Sequence, residues 1–211
     1  PAARPPAAAA GSGAAGAPVS LETLGVYGRV PDFALVERSG RTVTLADLLG
    51  TVWVANFIYT ACTDTCPTQS LLLSRLQVEF AGEPDLRLVS ITVDPEHDTP
   101  AALARYAARY RADPARWLFL TGPKPAVHAL AKEGFRLGVS ELPDPRPASG
   151  WRRLVEPRPA AATHGASTLV LHSARVVLVD REGRIRAYHR PEDPESAARL
   201  RDNLRTLLAG G

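Results

Sequence analysis

Apolar residues recur along this chain with two spacings, one typical of buried strands and one typical of helices. Residues 52–59 are almost continuously apolar, as in a central strand that is covered on both faces of its sheet. After them, Leu72, Leu76 and Phe80 recur every fourth residue and predict the buried side of a helix. Residues 86–93 predict a second buried strand. This order of strand, helix and strand favours an α/β fold.

The rest of the chain continues the alternation and ends in a hairpin and a helix. Thr99 and Pro100 predict the start of the second helix, because Thr caps free amides and Pro has the helical φ angle. The further predicted elements are a strand at 117–120, a helix at 125–135, a hairpin of 175–179 and 184–188, and a terminal helix at 194–208. Another hairpin, of residues 33–36 and 41–43, precedes the alternation. Together these predict a thioredoxin-like α/β fold with an N-terminal hairpin extension.

Two segments lack this patterning. Residues 1–18 contain only Pro, Ala, Gly, Ser and one Arg, which predicts a disordered tether ahead of a domain at 19–211. Residues 140–167 predict an irregular insertion rich in Pro and Arg before the late hairpin. Within it, residues 146–158 carry a net charge of +3; a solvated loop is the favoured interpretation, and a docking surface for an acidic partner is the alternative. Because the chain starts at Pro, we expect that a signal peptide or membrane anchor has been removed.

The composition narrows the classes of function. The chain has 211 residues, 25 Lys+Arg against 22 Asp+Glu, two cysteines and no methionine. A net charge of +3 is too small to indicate a nucleic-acid-binding protein. Two cysteines cannot form a four-thiolate zinc site or a disulfide framework. A soft-metal site in this chain would also have to form without a thioether ligand.

The two cysteines follow the predicted central strand directly. Cys62 and Cys66 are separated by three residues, so a helix that began at Cys62 would place both sulfurs on one face, about one turn apart. The amino terminus of a helix lowers thiol pKa values and favours the thiolate, which attacks disulfides and binds soft metals. Asp64 acts in the opposite sense, and a bound cation would relieve its repulsion. The pair is therefore a candidate chelate or redox site.

A histidine could complete such a site. His172 precedes the late hairpin, and an imidazole with two thiolates suits Cu(I), or Cu(II) with one further oxygen or nitrogen donor. Taken alone, His172 is better interpreted as a core or loop histidine than as a ligand. His164 is a conceivable auxiliary ligand, although a loop histidine is the favoured interpretation. We expect His128 and His189 on the surface.

Three motifs occur in an order that is specific to one family. They are FIYTACTDTCPT at residues 57–68, SITVDPEHDTP at 90–100, and His172-Ser173 followed by VDREGR at 179–184. With them, residues 30–208 resemble the Sco/SenC family of copper-binding proteins with a thioredoxin fold. The resemblance implies that Cys62, Cys66 and His172 are the metal ligands. It implies a structural or ligand-supporting role for Asp94 or Asp98.

The chain departs from the usual pattern of that family at three positions. Thr63 stands where Pro usually follows the first cysteine, and His97 stands in place of Arg in the second motif. Leu171 stands where an Asp usually precedes the ligand histidine. Since such neighbours fix the orientation of a ligating imidazole, the third departure bears on how His172 is held.

The resemblance implies a copper chaperone that holds one copper, as Cu(I) or Cu(II), and assists assembly of the CuA site of cytochrome c oxidase. Its partners would be the CuA domain of oxidase subunit II and another copper chaperone or thiol reductase, in an extracytoplasmic, membrane-tethered setting. The alternative is a thiol-disulfide oxidoreductase that reduces the CuA-site cysteines, with Cys62 and Cys66 as its catalytic thiols. A peroxidase is less favoured, because no Arg beside a reactive cysteine can be identified from the sequence.

Overall fold

An eight-stranded mixed sheet organises the described part of the chain. The computed structural model describes residues 20–137, 139–141, 169–171 and 174–210. Its strands are β1 (Gly28–Arg29), β2 (Ala34–Glu37), β3 (Thr42–Thr44), β4 (Val52–Ile58), β5 (Leu86–Thr92), β6 (Trp117–Thr121), β7 (Val139–Glu141), β8 (Leu169–Leu171), β9 (Val176–Val179) and β10 (Arg184–His189). Its helices are α1 (Thr65–Glu79), α2 (Pro100–Arg109), α3 (Lys124–Ala129) and α4 (Pro194–Ala209).

The strand order places the loops that follow β4 and β5 at the same edge of the sheet. The order is β1-β10-β9-β4-β5-β6-β2-β3, and β7 pairs separately with β8. β4 is parallel to β5, and β5 is parallel to β6, with α1 and α2 as the two crossovers. The carboxyl ends of β4 and β5 therefore lie side by side, which is the edge where α/β folds place their sites.

Strand β4 is buried along its whole length because helices cover both faces of the sheet. Its seven residues are all buried. Trp53 and Phe57 pack into an apolar cluster that includes the residues around α3, while Val54 and Ile58 pack into a second cluster with α1, α2 and α4. A strand between two such layers needs apolar residues at every position, which explains the continuous run in the sequence.

The predicted fold class is confirmed: the chain has a thioredoxin-like α/β fold with the hairpin β2–β3 at its amino-terminal side. The predicted ends of most elements lie within two residues of the observed ends. Thr99 caps α2 as expected, since its hydroxyl accepts the Ala102 amide at 3.3 Å. The predicted tether, residues 1–18, and all but the first two residues of the predicted insertion, 140–167, lie outside the described residues.

The predicted helix at 125–135 is wrong in its second half. After α3, residues Leu130–Gly134 form one π-helical turn. The wider turn places Phe135 in the core, where its ring meets the rings of Trp53 and Phe57 edge to face, with centroids 5.9 and 5.2 Å apart. The sequence did not reveal the π turn, because the spacing of Val127, Leu130, Ala131 and Phe135 is also that of an amphipathic α-helix. None of the described helices is long and apolar enough to cross a membrane.

His189 is buried, which corrects the predicted surface position. Residues before β1 pack across β10 and α4, and the Leu21 carbonyl accepts the amide of Tyr188 at 2.8 Å. The Asn203 amide group of α4 lies 3.2 Å from His189 Nε2 and donates to the Glu22 carbonyl at 2.8 Å. Burial lowers the pKa of His189 to about 4. The sequence did not indicate that residues 20–25 would cover this strand.

We expect His189 to make the protein sensitive to mild acid. Between its ordinary pKa of 6.5 and its folded pKa of about 4, the unfolded chain binds a proton that the folded chain does not. The free energy of unfolding should therefore fall by up to about 3 kcal/mol as the pH falls through this window. Urea denaturation at pH 7, 5.5 and 4.5 measures this change. His189→Gln should flatten the dependence, and an unchanged slope in that variant would contradict the assignment.

Candidate metal centre

A tight turn presents Cys62 at the end of β4. The chain leaves the strand at Tyr59, and the Cys62 amide donates to the Tyr59 carbonyl at 3.1 Å, which closes a turn with Thr60 and Ala61 at its centre. Helix α1 then begins at Thr65. Cys66 lies in the first turn of that helix and is fully buried, whereas Cys62 retains 9% of its exposure. Of the two cysteines, Cys62 is therefore the nearer to solvent.

The two sulfurs are neighbours, but not through the helical spacing expected from the sequence. Only Cys66 belongs to α1, and Cys62 lies in the turn before the helix. Both cysteines are free, and each sulfur is close enough to shift the pKa of the other. The turn therefore folds back over the amino terminus of α1. Because it does so, the pair can chelate one metal ion or close a disulfide.

Hydrogen bonds make Cys62 the thiolate of the pair. The Cys66 thiol, the backbone amides of Cys66 and Asp64 and the Tyr59 hydroxyl together lower the pKa of Cys62 to about 5, against the opposing effect of burial. The amides belong to the start of α1, whose first N–H groups have no partner within the helix. It is the backbone of Asp64 that meets the sulfur, while its side chain is exposed.

Cys66 has the opposite character. Its hydrogen bond to Cys62, followed by its own burial, raises the pKa of the Cys66 thiol above its usual range. The reduced site therefore holds one thiolate and one thiol at neutral pH. A soft cation that binds both sulfurs would displace the Cys66 proton.

A buried polar chain fixes the helix that carries Cys66. Trp117 Nε1 donates to Ser90 Oγ at 3.0 Å, and Ser90 donates to Asn56 Oδ1 at 2.7 Å. Asn56 in turn donates to Gln69 Oε1 of α1 at 3.0 Å. The four side chains belong to β6, β5, β4 and α1, so the chain ties the helix to the parallel strands. The motifs gave no indication of this network, because its members are isolated polar residues within apolar runs.

The acidic residues after β5 have different roles. Asp98 is buried, and its carboxylate accepts the Thr60 amide at 3.0 Å and the Thr60 hydroxyl at 2.5 Å. Asp94 is also buried, but its carboxylate contacts His97 Nδ1 at 2.9 Å and 3.0 Å. The sequence left open which of the two supports the site. Asp98 is the one in contact with the turn that leads to Cys62.

The structure brings together two of the three predicted ligands. Cys62 and Cys66 are adjacent, whereas His172 and the auxiliary candidate His164 lie outside the described residues. The described residues contain no group of three His, Cys, Asp or Glu side chains arranged to hold a metal ion. His128 is half-buried rather than on the surface, with Nε2 3.0 Å from the Val93 carbonyl oxygen. Tyr59, whose hydroxyl contributes to the lowered pKa of Cys62, was not singled out from the sequence.

Comparisons with known proteins identify the family and the fold. The model of the SCO1/SenC family matches residues 27–209. The SCO1 protein homolog of Bacillus subtilis is 39% identical over 114 residues, which cover 53% of this chain and 59% of that protein, so the match spans less than two thirds of its length. The structure of Bradyrhizobium japonicum ScoI with copper bound aligns over 85% of this chain and 99% of that chain, with 24% identity and a TM-score of 0.64. The structure of BsSco, described as a member of the Sco family of cytochrome c oxidase assembly proteins, aligns over 86% of this chain and 94% of that chain, with 24% identity and a TM-score of 0.65.

Proposed function

The chain belongs to the SCO1/SenC family, and from this premise we propose that it binds one copper ion through Cys62, Cys66 and His172 and delivers it to the CuA site of cytochrome c oxidase. The observation that carries the proposal is the Cys62–Cys66 pair at the carboxyl end of β4, where Cys62 lies in the turn and Cys66 in the first turn of α1. Thiolates and imidazole are the ligands that suit copper in a chain without methionine.

The delivery step follows from the shape of the site. Cys62 is at the entrance and Cys66 is behind it, so thiolates of an acceptor would approach from the side of Cys62. Copper would then pass by exchange of one sulfur ligand at a time, and Cys66 would take its proton back as the ion leaves. We propose the CuA domain of oxidase subunit II as the acceptor, another copper chaperone or a thiol reductase as an upstream partner, and an extracytoplasmic, membrane-tethered location.

A second candidate function is favoured by the difference between the two sulfurs. A thiolate at the entrance beside a buried thiol is the arrangement of a dithiol reductant. Cys62 would attack a disulfide of the acceptor and form a mixed disulfide. Cys66 would lose its proton, attack Cys62, and release the acceptor as a dithiol while this chain is oxidised to a disulfide. The acceptor in this case is the cysteine pair of the CuA site.

The two proposed functions differ in whether they need His172: copper binding does, and disulfide exchange does not. Reduced protein titrated anaerobically with Cu(I) should bind one ion per chain, and His172→Ala should lose stoichiometric binding in the presence of a competing chelator. The same variant should reduce a small disulfide at the rate of the unsubstituted protein, since His172 has no part in the exchange. His164→Ala is the matched control and should keep its copper.

The outcomes are distinct. Unchanged copper binding by His172→Ala would remove His172 from the ligand set. Failure of the unsubstituted protein to bind Cu(I) or Cu(II) at about one ion per chain would overturn the copper function and leave the reductase.

A further inference from the structure

Asp98 is a buried carboxylate that hydrogen bonds hold in place. It lies between β5 and α2 with 1% of its surface exposed. In the described part of the chain, none of the ion pairs includes it. Its oxygens instead accept the Thr60 amide at 3.0 Å, the Thr60 hydroxyl at 2.5 Å and the hydroxyl of Thr92. Such a group is costly to bury, so its place needs a reason.

The partners of Asp98 lie at the carboxyl ends of two neighbouring strands. Thr92 is the last residue of β5, and Thr60 follows the end of β4 by two residues. Thr60 is also the first central residue of the turn that the Cys62 amide closes onto the Tyr59 carbonyl. Asp98 therefore holds both polar groups of Thr60, its N–H and its O–H, at the point where the chain turns toward Cys62. No other described side chain is hydrogen-bonded to either group.

We propose that Asp98 is a positioning residue for Cys62: by fixing Thr60 it sets the turn that places the Cys62 sulfur over the amino terminus of α1. This inference rests on the proposed function in that it treats Cys62 as a copper ligand. It goes further by assigning the rigidity of that ligand to a residue 36 positions away in the sequence. Without the carboxylate, Thr60 loses its two anchors, and the Cys62 sulfur loses its fixed position relative to the amides of Asp64 and Cys66.

Asp94 provides a matched control. It belongs to the same loop and is buried to a similar extent, with 3% of its surface exposed. Its carboxylate binds His97 rather than Thr60. Loss of the Asp94 carboxylate should therefore perturb the loop without releasing the turn.

The experiment compares Asp98→Ala with Asp94→Ala in reduced protein. Residues that hold a metal ligand in place typically contribute 10- to 100-fold to affinity, so Asp98→Ala should weaken Cu(I) binding by about that factor in a chelator competition. Asp94→Ala should stay within about threefold. Asp98→Asn should restore most of the affinity, because an amide can still accept the Thr60 N–H and donate to its hydroxyl. Thr60→Val should weaken binding and Thr60→Ser should not, which provides the same test if Asp98→Ala does not fold.

A second measurement needs no copper. The rate at which iodoacetamide alkylates Cys62 in metal-free protein follows the thiolate fraction, so its pH midpoint should move upward in Asp98→Ala and Thr60→Val and stay in place in Asp94→Ala. A purely structural role would lower stability in both aspartate variants alike without moving the midpoint. The same midpoint in Asp98→Ala and Asp94→Ala would overturn the proposal. So would a midpoint in Asp98→Asn and Thr60→Ser that stays as high as in Asp98→Ala. If the unsubstituted protein binds no copper, the copper function fails, while the alkylation profile still decides the role of Asp98.

Discussion

Cys66→Ser is expected to lower the affinity for Cu(I) by at least about 100-fold, beyond the 10- to 100-fold loss seen when a residue that merely supports a ligand is removed. Serine keeps the volume of the buried side chain and can still donate a hydrogen bond to the Cys62 sulfur. The substitution removes only the Cys66 sulfur as the second soft ligand. The substitution therefore separates the two roles of Cys66, as a metal ligand and as the donor that keeps Cys62 ionised. Competition with a chromogenic Cu(I) chelator measures the loss.

The control for this substitution is Ser70→Ala, one turn further along α1. Ser70 is fully buried and its hydroxyl lies 2.9 Å from the Tyr106 hydroxyl, so its loss loosens the same helix without touching a sulfur. Copper affinity should remain within about threefold in that variant. Alkylation of Cys62 near pH 6 should remain fast in Cys66→Ser, since the donor is kept. Retention of tight copper binding by Cys66→Ser would show that the ion does not need the buried sulfur.

The sequence predicted the elements that are defined by apolar spacing and by residues typical of helix starts and turns. The continuous run of β4, the Thr99–Pro100 helix start and the late hairpin each depend on local spacing, and all are present. It also located the cysteine pair, because a CxxxC after a buried strand is a local motif. What it could not provide was long-range contact. The anchoring of Thr60 by Asp98 and the burial of His189 depend on which loop crosses which strand. No spacing along the chain encodes those distances.

The helical geometry expected for Cys62 shows the same limit. The expectation required α1 to extend back through Cys62, and the helix begins three residues later. The sulfurs are still adjacent because the Tyr59–Cys62 turn curls over the end of the helix, so that the free amides meet a sulfur. The motif thus predicted correctly that the two sulfurs are adjacent, but the turn brings them together rather than the helical spacing.

Asn56→Leu is expected to destabilise the fold by about 2–6 kcal/mol, because it leaves one buried acceptor and one buried donor unpaired at about 1–3 kcal/mol each. The acceptor is Gln69 Oε1, which accepts from Asn56 at 3.0 Å, and the donor is the Ser90 O–H, which donates to Asn56 at 2.7 Å. Ser90 Oγ keeps its other hydrogen bond, from Trp117 Nε1. Leucine has the same branching as asparagine and is somewhat larger, so the loss does not come from a cavity. Urea denaturation followed by tryptophan fluorescence measures the effect.

The partner substitution Gln69→Met should cost less, and the two should not add. Gln69 Nε2 has no hydrogen-bond partner among the described residues, so methionine removes a donor that is already unpaired. In the Asn56→Leu background it also removes the acceptor that the first substitution left unpaired, so the double variant should be no less stable than Asn56→Leu alone. Additive losses would show that each side chain acts through packing. Non-additive losses would show that one polar contact fastens α1, and with it Cys66, to β4 beside the turn that carries Cys62.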